Sequence, residues 1–157
     1  MKVYHCMVTS VLLYGSEAWA ITAAQLQRLE VFHHGCLRHI LGWRLSDWYS
    51  NETLLAKCRT SSIQAMLRQH QLRWLGHIGR MHEGRIAKRI MYSTMAGDNR
   101  RRRRGAPCRD LGAHYWEVAQ DFRAKLPRGT VPRGANWLTL CENRAQYRML
   151  CRHEPVA

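Results

Sequence analysis

SSIQAMLRQHQLRWLGHIGRM, residues 61–81, is the stretch that decides the fold. Ile63, Met66, Leu67, Trp74, Leu75, Ile78 and Met81 recur at three-and-four spacing, the period of a helix with one core-facing side. Ser61 and Gln64 form an S-x-x-Q pair that predicts a capping box at its start. At about 100° per residue, Gln69, Arg73 and Arg80 fall on one flank of the stripe. A helix with an apolar face and a basic edge is therefore expected here.

The same pattern extends in both directions. Upstream, Thr22 and Gln25 make a T-x-x-Q box, followed by Leu26, Leu29, Phe32, Cys36, Leu37, Ile40 and Leu41 at helical spacing, with Gly42 placed to stop them. Ser50 or Asn51 can cap a short helix over residues 52–58, and residues 2–19 are apolar on nearly every side, as a buried helix would be. Downstream, residues 85–95 predict a basic helix, residues 108–126 another, and residues 136–151 a last one after a Pro/Gly loop at 127–134. No alternating strand pattern and no fixed repeat interrupts them. The expectation is an all-α, irregular bundle of about five to seven helices. It divides into a helical domain over residues 1–96, a basic linker over 97–107 and a C-terminal helical segment over 108–157.

Charge narrows the partner. The 157 residues hold 25 Lys and Arg against 11 Asp and Glu, for a formal charge of +14, and 21 of the 25 cations are arginine. Arginine's planar fork of donors matches phosphate oxygens, which favours a nucleic-acid partner, RNA or DNA. Residues 68–109 alone carry 12 cations and two acids, Glu83 and Asp98. The candidate phosphate contacts in this window are Arg73, Arg80, Arg85, Lys88, Arg89, the unbroken run Arg100, Arg101, Arg102, Arg103 and Arg104, and Arg109. A bland alternative for the run is a solvated linker or an import signal. Trp43 and Trp48, in a loop beside Arg44, suit either core packing or base stacking.

Catalysis and cofactors find little support. The four aspartates, Asp47, Asp98, Asp110 and Asp121, show no metal-binding spacing, and no phosphate loop, H-E-x-x-H or G-x-S-x-G motif is present. No cofactor and no enzymatic activity are expected. A low-ranking zinc set is Cys108, Cys141, Cys151 and His153, whose gaps of 32, 9 and 1 residues differ from the usual close ligand pairs. The six cysteines otherwise read as small core hydrophobes with free thiols, and the histidines, His33 and His70 among them, as hydrogen-bonded core or boundary imidazoles. No run of about 18 apolar residues could cross a bilayer, and residues 1–19 make a poor signal peptide. A nuclear or cytoplasmic protein is expected, without a membrane partner.

Five ordered blocks resemble one family. Leu12-Leu13-Tyr14-Gly15-Ser16-Glu17-Ala18-Trp19 is similar to the L-Y-G-x-E-x-W segment in the thumb of non-LTR (LINE-type) retrotransposon reverse transcriptases. Leu29-Glu30-x-Phe32 with Cys36-Leu37-Arg38-His39-Ile40-Leu41-Gly42 resembles its next helix, and Asn51-Glu52-x-Leu54-Leu55 its N-E-x-L segment. Leu72-Arg73-Trp74-Leu75-Gly76-His77-Ile78-x-Arg80-Met81 is similar to L-R-W-x-G-H-[VI]-x-R-M, and Asn143-Arg144-x-x-Tyr147-Arg148 to D-R-x-x-W-R, with Asn143 and Tyr147 as departures. The resemblance spans residues 4–148. It implies a thumb-like helical region and a basic C-terminal part that grip nucleic acid. It also implies that polymerisation belongs to an upstream palm whose carboxylates are not in this sequence, so that the missing palm or a second copy is a possible partner. An independent helical adaptor acting through protein contacts is the alternative.

Overall fold

The computed structural model describes residues 1–95, 111–125 and 137–152, and its ordered elements are helices without a strand among the described residues. The fold is all-α. Two compact units are formed, one of residues 1–16 and 21–67, the other of residues 17–20 and the described residues from 68 onward.

The first unit opens with a continuous rod: α1 (Lys2–Tyr4), a wider π-helical stretch (His5–Thr9) and α2 (Ser10–Leu12). Gly15, at φ +67°, turns the chain after it through a conformation that L side chains rarely adopt. The rod is not buried all round, as its composition suggested. Tyr4, Thr9, Leu13 and Ser16 are buried, whereas Val3, Met7, Val11 and Tyr14 lie open to solvent, Tyr14 at 86% exposure. Tyr4 packs onto Leu37, Leu54 and Cys58, with Val8 against the same cluster. The apolar residues at 3, 7, 11 and 14 fall on another face.

α3 (Ala23–Leu41) begins with the expected capping box: the Gln25 amide donates to Thr22 Oγ1 (3.1 Å) and the Thr22 amide to Gln25 Oε1 (2.8 Å). It ends at Gly42 in the left-handed region, φ 69°. Ser50 caps α4 (Asn51–Cys58) by accepting from the Thr53 amide at 3.1 Å. α5 (Ile63–Gly79) starts differently from the expected Ser61–Gln64 box. Ser62 Oγ accepts from the Ala65 amide (3.2 Å), and the Gln64 amide donates to Glu30 Oε1 of α3 (2.8 Å). A full carboxylate charge at a helix N-terminus meets both the free amide and the helix dipole, which a glutamine side chain cannot do. His33 ties the same corner: fully buried, it accepts at Nδ1 from Tyr4 OH (2.8 Å) and donates from Nε2 to the Ser61 carbonyl (3.2 Å). It is the hydrogen-bonded core imidazole that its sequence position predicts.

The second unit packs the later part of α5 with α6 (Ile86–Met95), α7 (Leu111–Lys125), α8 (Trp137–Glu142) and α9 (Arg144–Arg152). Leu72, Leu75, Ile78, Met91, Tyr115, Phe122, Cys141 and Tyr147 share its core. The expected last helix is split. Asn143 Oδ1 accepts from the amides of Ala145 and Gln146, both at 3.2 Å, and so caps α9 instead of continuing α8. Residues 17–20 are held by their carbonyls: Trp19 O accepts from Gln71 Nε2 (3.0 Å) and Glu17 O from Tyr115 OH. The expected domain break at residues 97–107 lies outside the described residues, apart from its flanks. The helices either side of it, α6 and α7, pack on each other, and the observed division falls after Leu67, inside α5.

Candidate nucleic-acid interface

The cations of residues 68–95 sort into two kinds. Arg73 on α5, Arg85 before α6 and Arg89 on α6 are exposed and free of side-chain partners among the described residues. Arg80, just past the end of α5, is also exposed; its Nη1 donates to the Cys141 carbonyl at 3.0 Å, leaving its other N–H groups open. These four can meet phosphate oxygens. Lys88 differs. It is buried at 7% exposure, its Nζ donates to the carbonyls of Gly79 (3.2 Å) and Met81 (2.9 Å), and Glu83 lies 3.4 Å away. An ammonium at the carbonyl end of α5 satisfies orphan acceptors and opposes the negative end of the helix dipole. Lys88 is therefore a structural cation that holds α6 against the end of α5, a correction to its place among the phosphate contacts. Arg68, which adds to the same charge window, pairs with Asp121 of α7.

Arg100, Arg101, Arg102, Arg103, Arg104 and Arg109 lie outside the described residues, as do Cys108 and His153 of the zinc set. Cys141 and Cys151 sit in the second unit's core. Burial pushes the Cys141 thiol up to about 12, and in the core it packs as a small hydrophobe. Among the described residues no three His, Cys, Asp or Glu side chains converge as metal ligands. Of the loop aromatics, Trp43 stacks on Tyr49 with ring centres 4.2 Å apart, while Trp48 stands 93% exposed at φ 55°.

The densest block of the sequence pattern has a packing explanation. Gly76 is buried, and a Cβ there would overlap the Tyr147 ring. Tyr147 OH donates to the Leu72 carbonyl at 2.7 Å. Residues 72–81 and 143–148 are thus brought together, an aromatic ring lying over a glycine. Sequence reading placed both blocks without pairing them. The available signal was a glycine at a core-facing position of α5, where a close approach is the usual reason.

Compared with known proteins, the chain matches no protein-family model, no curated protein and no solved structure.

Proposed function

We propose that this chain is a non-catalytic nucleic-acid-binding protein that holds RNA or DNA by the phosphate backbone. The observation that carries the reading is the charge of residues 68–109, 12 cations against two acids, with Arg73, Arg80, Arg85 and Arg89 exposed on the second unit. In particular, the five ordered blocks support a reading as the thumb and C-terminal part of a LINE-type reverse transcriptase, acting in the nucleus or cytoplasm. Its described residues include no helix long and apolar enough to cross a membrane. The reading is of a chain that binds and leaves polymerisation and cutting to other parts: among the described residues no carboxylates converge to hold two metal ions.

The test is affinity against salt. An arginine run follows successive phosphates and carries no base readout, so binding is weakly sequence-specific. With about five phosphates engaged by residues 100–104, log K falls with log[salt] at a slope of about −4 to −5 on duplex DNA. Serine at all five positions should flatten that slope and weaken every sequence alike, with helicity intact. An unchanged slope assigns the run to a solvated linker or import signal.

A second reading has its own observation. The open stripe of Val3, Met7, Val11 and Tyr14 is an apolar helix face, and such faces serve protein contacts. An adaptor role, or docking of a palm domain or a second copy, would use it. Sedimentation of the chain with Met7→Glu and Val11→Glu tests self-association: loss of a dimer supports a second copy, and a monomer throughout excludes it.

A further inference from the structure

The loop between α3 and α4, residues 43–50, leaves Leu45, Trp48 and Tyr49 exposed. Trp48, at 93%, is the most exposed large hydrophobic side chain among the described residues. It sits at φ 55°, ψ 20°, in the left-handed region that a bulky side chain rarely enters. The loop around it is closely tied. The Trp43 amide donates to the Arg38 carbonyl of α3 (2.9 Å), the Arg44 amide to Asp47 Oδ2 (2.8 Å) and the Asp47 amide to the Arg44 carbonyl (3.1 Å). Arg38 Nη2 donates to Asn51 Oδ1 at the start of α4 (2.6 Å), and the Trp43 ring stacks on Tyr49. These contacts fix both ends of the loop and leave the Trp48 indole outside them.

Folding alone would put a tryptophan inside and a glycine or asparagine at this φ. A large ring held in solvent on a strained backbone points instead to a contact with another molecule. We propose that Trp48 stacks on an unpaired base of a single-stranded nucleic acid, with the Arg44 guanidinium available to the adjoining phosphate. Arg44 is exposed and belongs to the same hydrogen-bonded turn, and Asp47, the acid of residues 43–50, is engaged by the Arg44 amide. An apolar protein surface laid over Trp48 would have to accommodate that guanidinium, whereas a nucleotide presents a π-face and a phosphate together. In a duplex the faces of the bases are covered by their neighbours, so the ring selects unpaired strands. The inference rests on the nucleic-acid reading above and adds to it a preference for unpaired bases, which phosphate contacts alone do not give.

The experiment measures anisotropy of labelled strands of about 20 nucleotides with the full chain: a thymidine single strand, the same backbone without bases, and a duplex. Trp48→Gly, which deletes the ring and suits φ 55° better than tryptophan does, should keep its helicity and lose about tenfold on the thymidine strand, the worth of one stacked base. It should stay within twofold on the abasic strand and the duplex, with every salt slope unchanged, since the indole carries no charge. Trp48→Phe should restore most of the affinity. Trp116→Leu, at an exposed tryptophan of α7, should stay within twofold throughout. Wild-type affinity of Trp48→Gly for the thymidine strand overturns the stack while the phosphate reading stands. An equal loss on the abasic strand, or in Trp116→Leu, overturns the base as the ligand of Trp48. Absence of binding to any strand by the wild type overturns both readings.

Discussion

Residues 1–16 and 21–67 hold six basic side chains against three acidic ones; residues 17–20 and 68–157 hold nineteen against eight. Inside, the two units are built alike. Each fixes its helices through buried aromatic hydroxyls: Tyr4 on His33 in the first, Tyr147 on the Leu72 carbonyl and Tyr115 on the Glu17 carbonyl in the second. The difference is on the surface, where the first unit exposes Val3, Met7, Val11 and Tyr14 and the second exposes Arg73, Arg80, Arg85 and Arg89. Similar interiors thus carry different surfaces, an apolar stripe on the rod of the first unit and exposed guanidiniums on α5 and α6 of the second.

The largest effect should come from Gly76→Ala. The added methyl overlaps a Tyr147 ring that is itself held by its hydroxyl, so neither side can yield freely. Overpacking of this kind costs about 2–3 kcal/mol. Hydrogen exchange should quicken in α5 after residue 68 and in α9. Adding Tyr147→Leu should recover part of the loss, and a double-mutant cycle measures how much. Strict additivity would show that ring and glycine are not coupled.

Next in size is Lys88→Met, which tests the division between structural and binding cations. Removing the ammonium strips the Gly79 and Met81 carbonyls of a donor, at about 1–2 kcal/mol. Thermal stability should fall while the salt slope of nucleic-acid binding stays where it was. A flatter slope with unchanged stability would return Lys88 to the phosphate contacts.

These residues also show what sequence can reveal. The helices were legible because each carries an apolar stripe and a local stop signal; Thr22 with Gln25 and Gly42 behave as their types demand. The start of α5 was not, because Glu30 reaches the Gln64 amide from 34 residues away and local pattern holds no trace of that. The Asn143 cap was missed because α8 and α9 share one continuous apolar rhythm. Lys88 counted as surface charge because lysine usually is one; its burial depends on where the end of α5 falls in space. Arg73 and Arg85 are exposed as a binding role requires, and that exposure follows from their positions off the apolar stripe.

A smaller loss, confined to the first unit, is expected from Tyr4→Phe. His33 Nδ1 would keep its burial and lose its donor, at about 1–2 kcal/mol. Protection should drop in α3 and at residues 2–12. The same substitution at Tyr147, whose acceptor Leu72 O belongs to a helix, should cost less, since no imidazole nitrogen is left bare.

The mildest test is pH, and its sign can be worked out for each unit. Burial holds His33 and His34 of α3 below the ordinary histidine range, with Glu30 pulling the other way in both. His70 of α5 is lowered too, by burial and then by the Arg73 charge. A depressed folded value means the unfolded chain binds protons first as pH falls. These groups therefore give stability that is present above about 6.5 and lost on acidification below it. Two of the three lie in the first unit, so protection in α3, taken against the intrinsic exchange rate at each pH, should fall more between pH 7.5 and 5.5 than protection in α7. On the alkaline side the order of events changes. Burial raises Cys141 and Tyr4 to about 12 each, and raises Tyr115 and Tyr147 as well. Raised acids give stability that is complete below the unfolded values, near 9 for the thiol and 10 for the phenols, and lost as pH climbs through the folded ones. With Cys141, Tyr115 and Tyr147 all in its core, the second unit should loosen more at pH 10.5 than the first. Equal loss of protection in α3 and α7 at both extremes would mean that the buried imidazoles and phenols do not set the pH response.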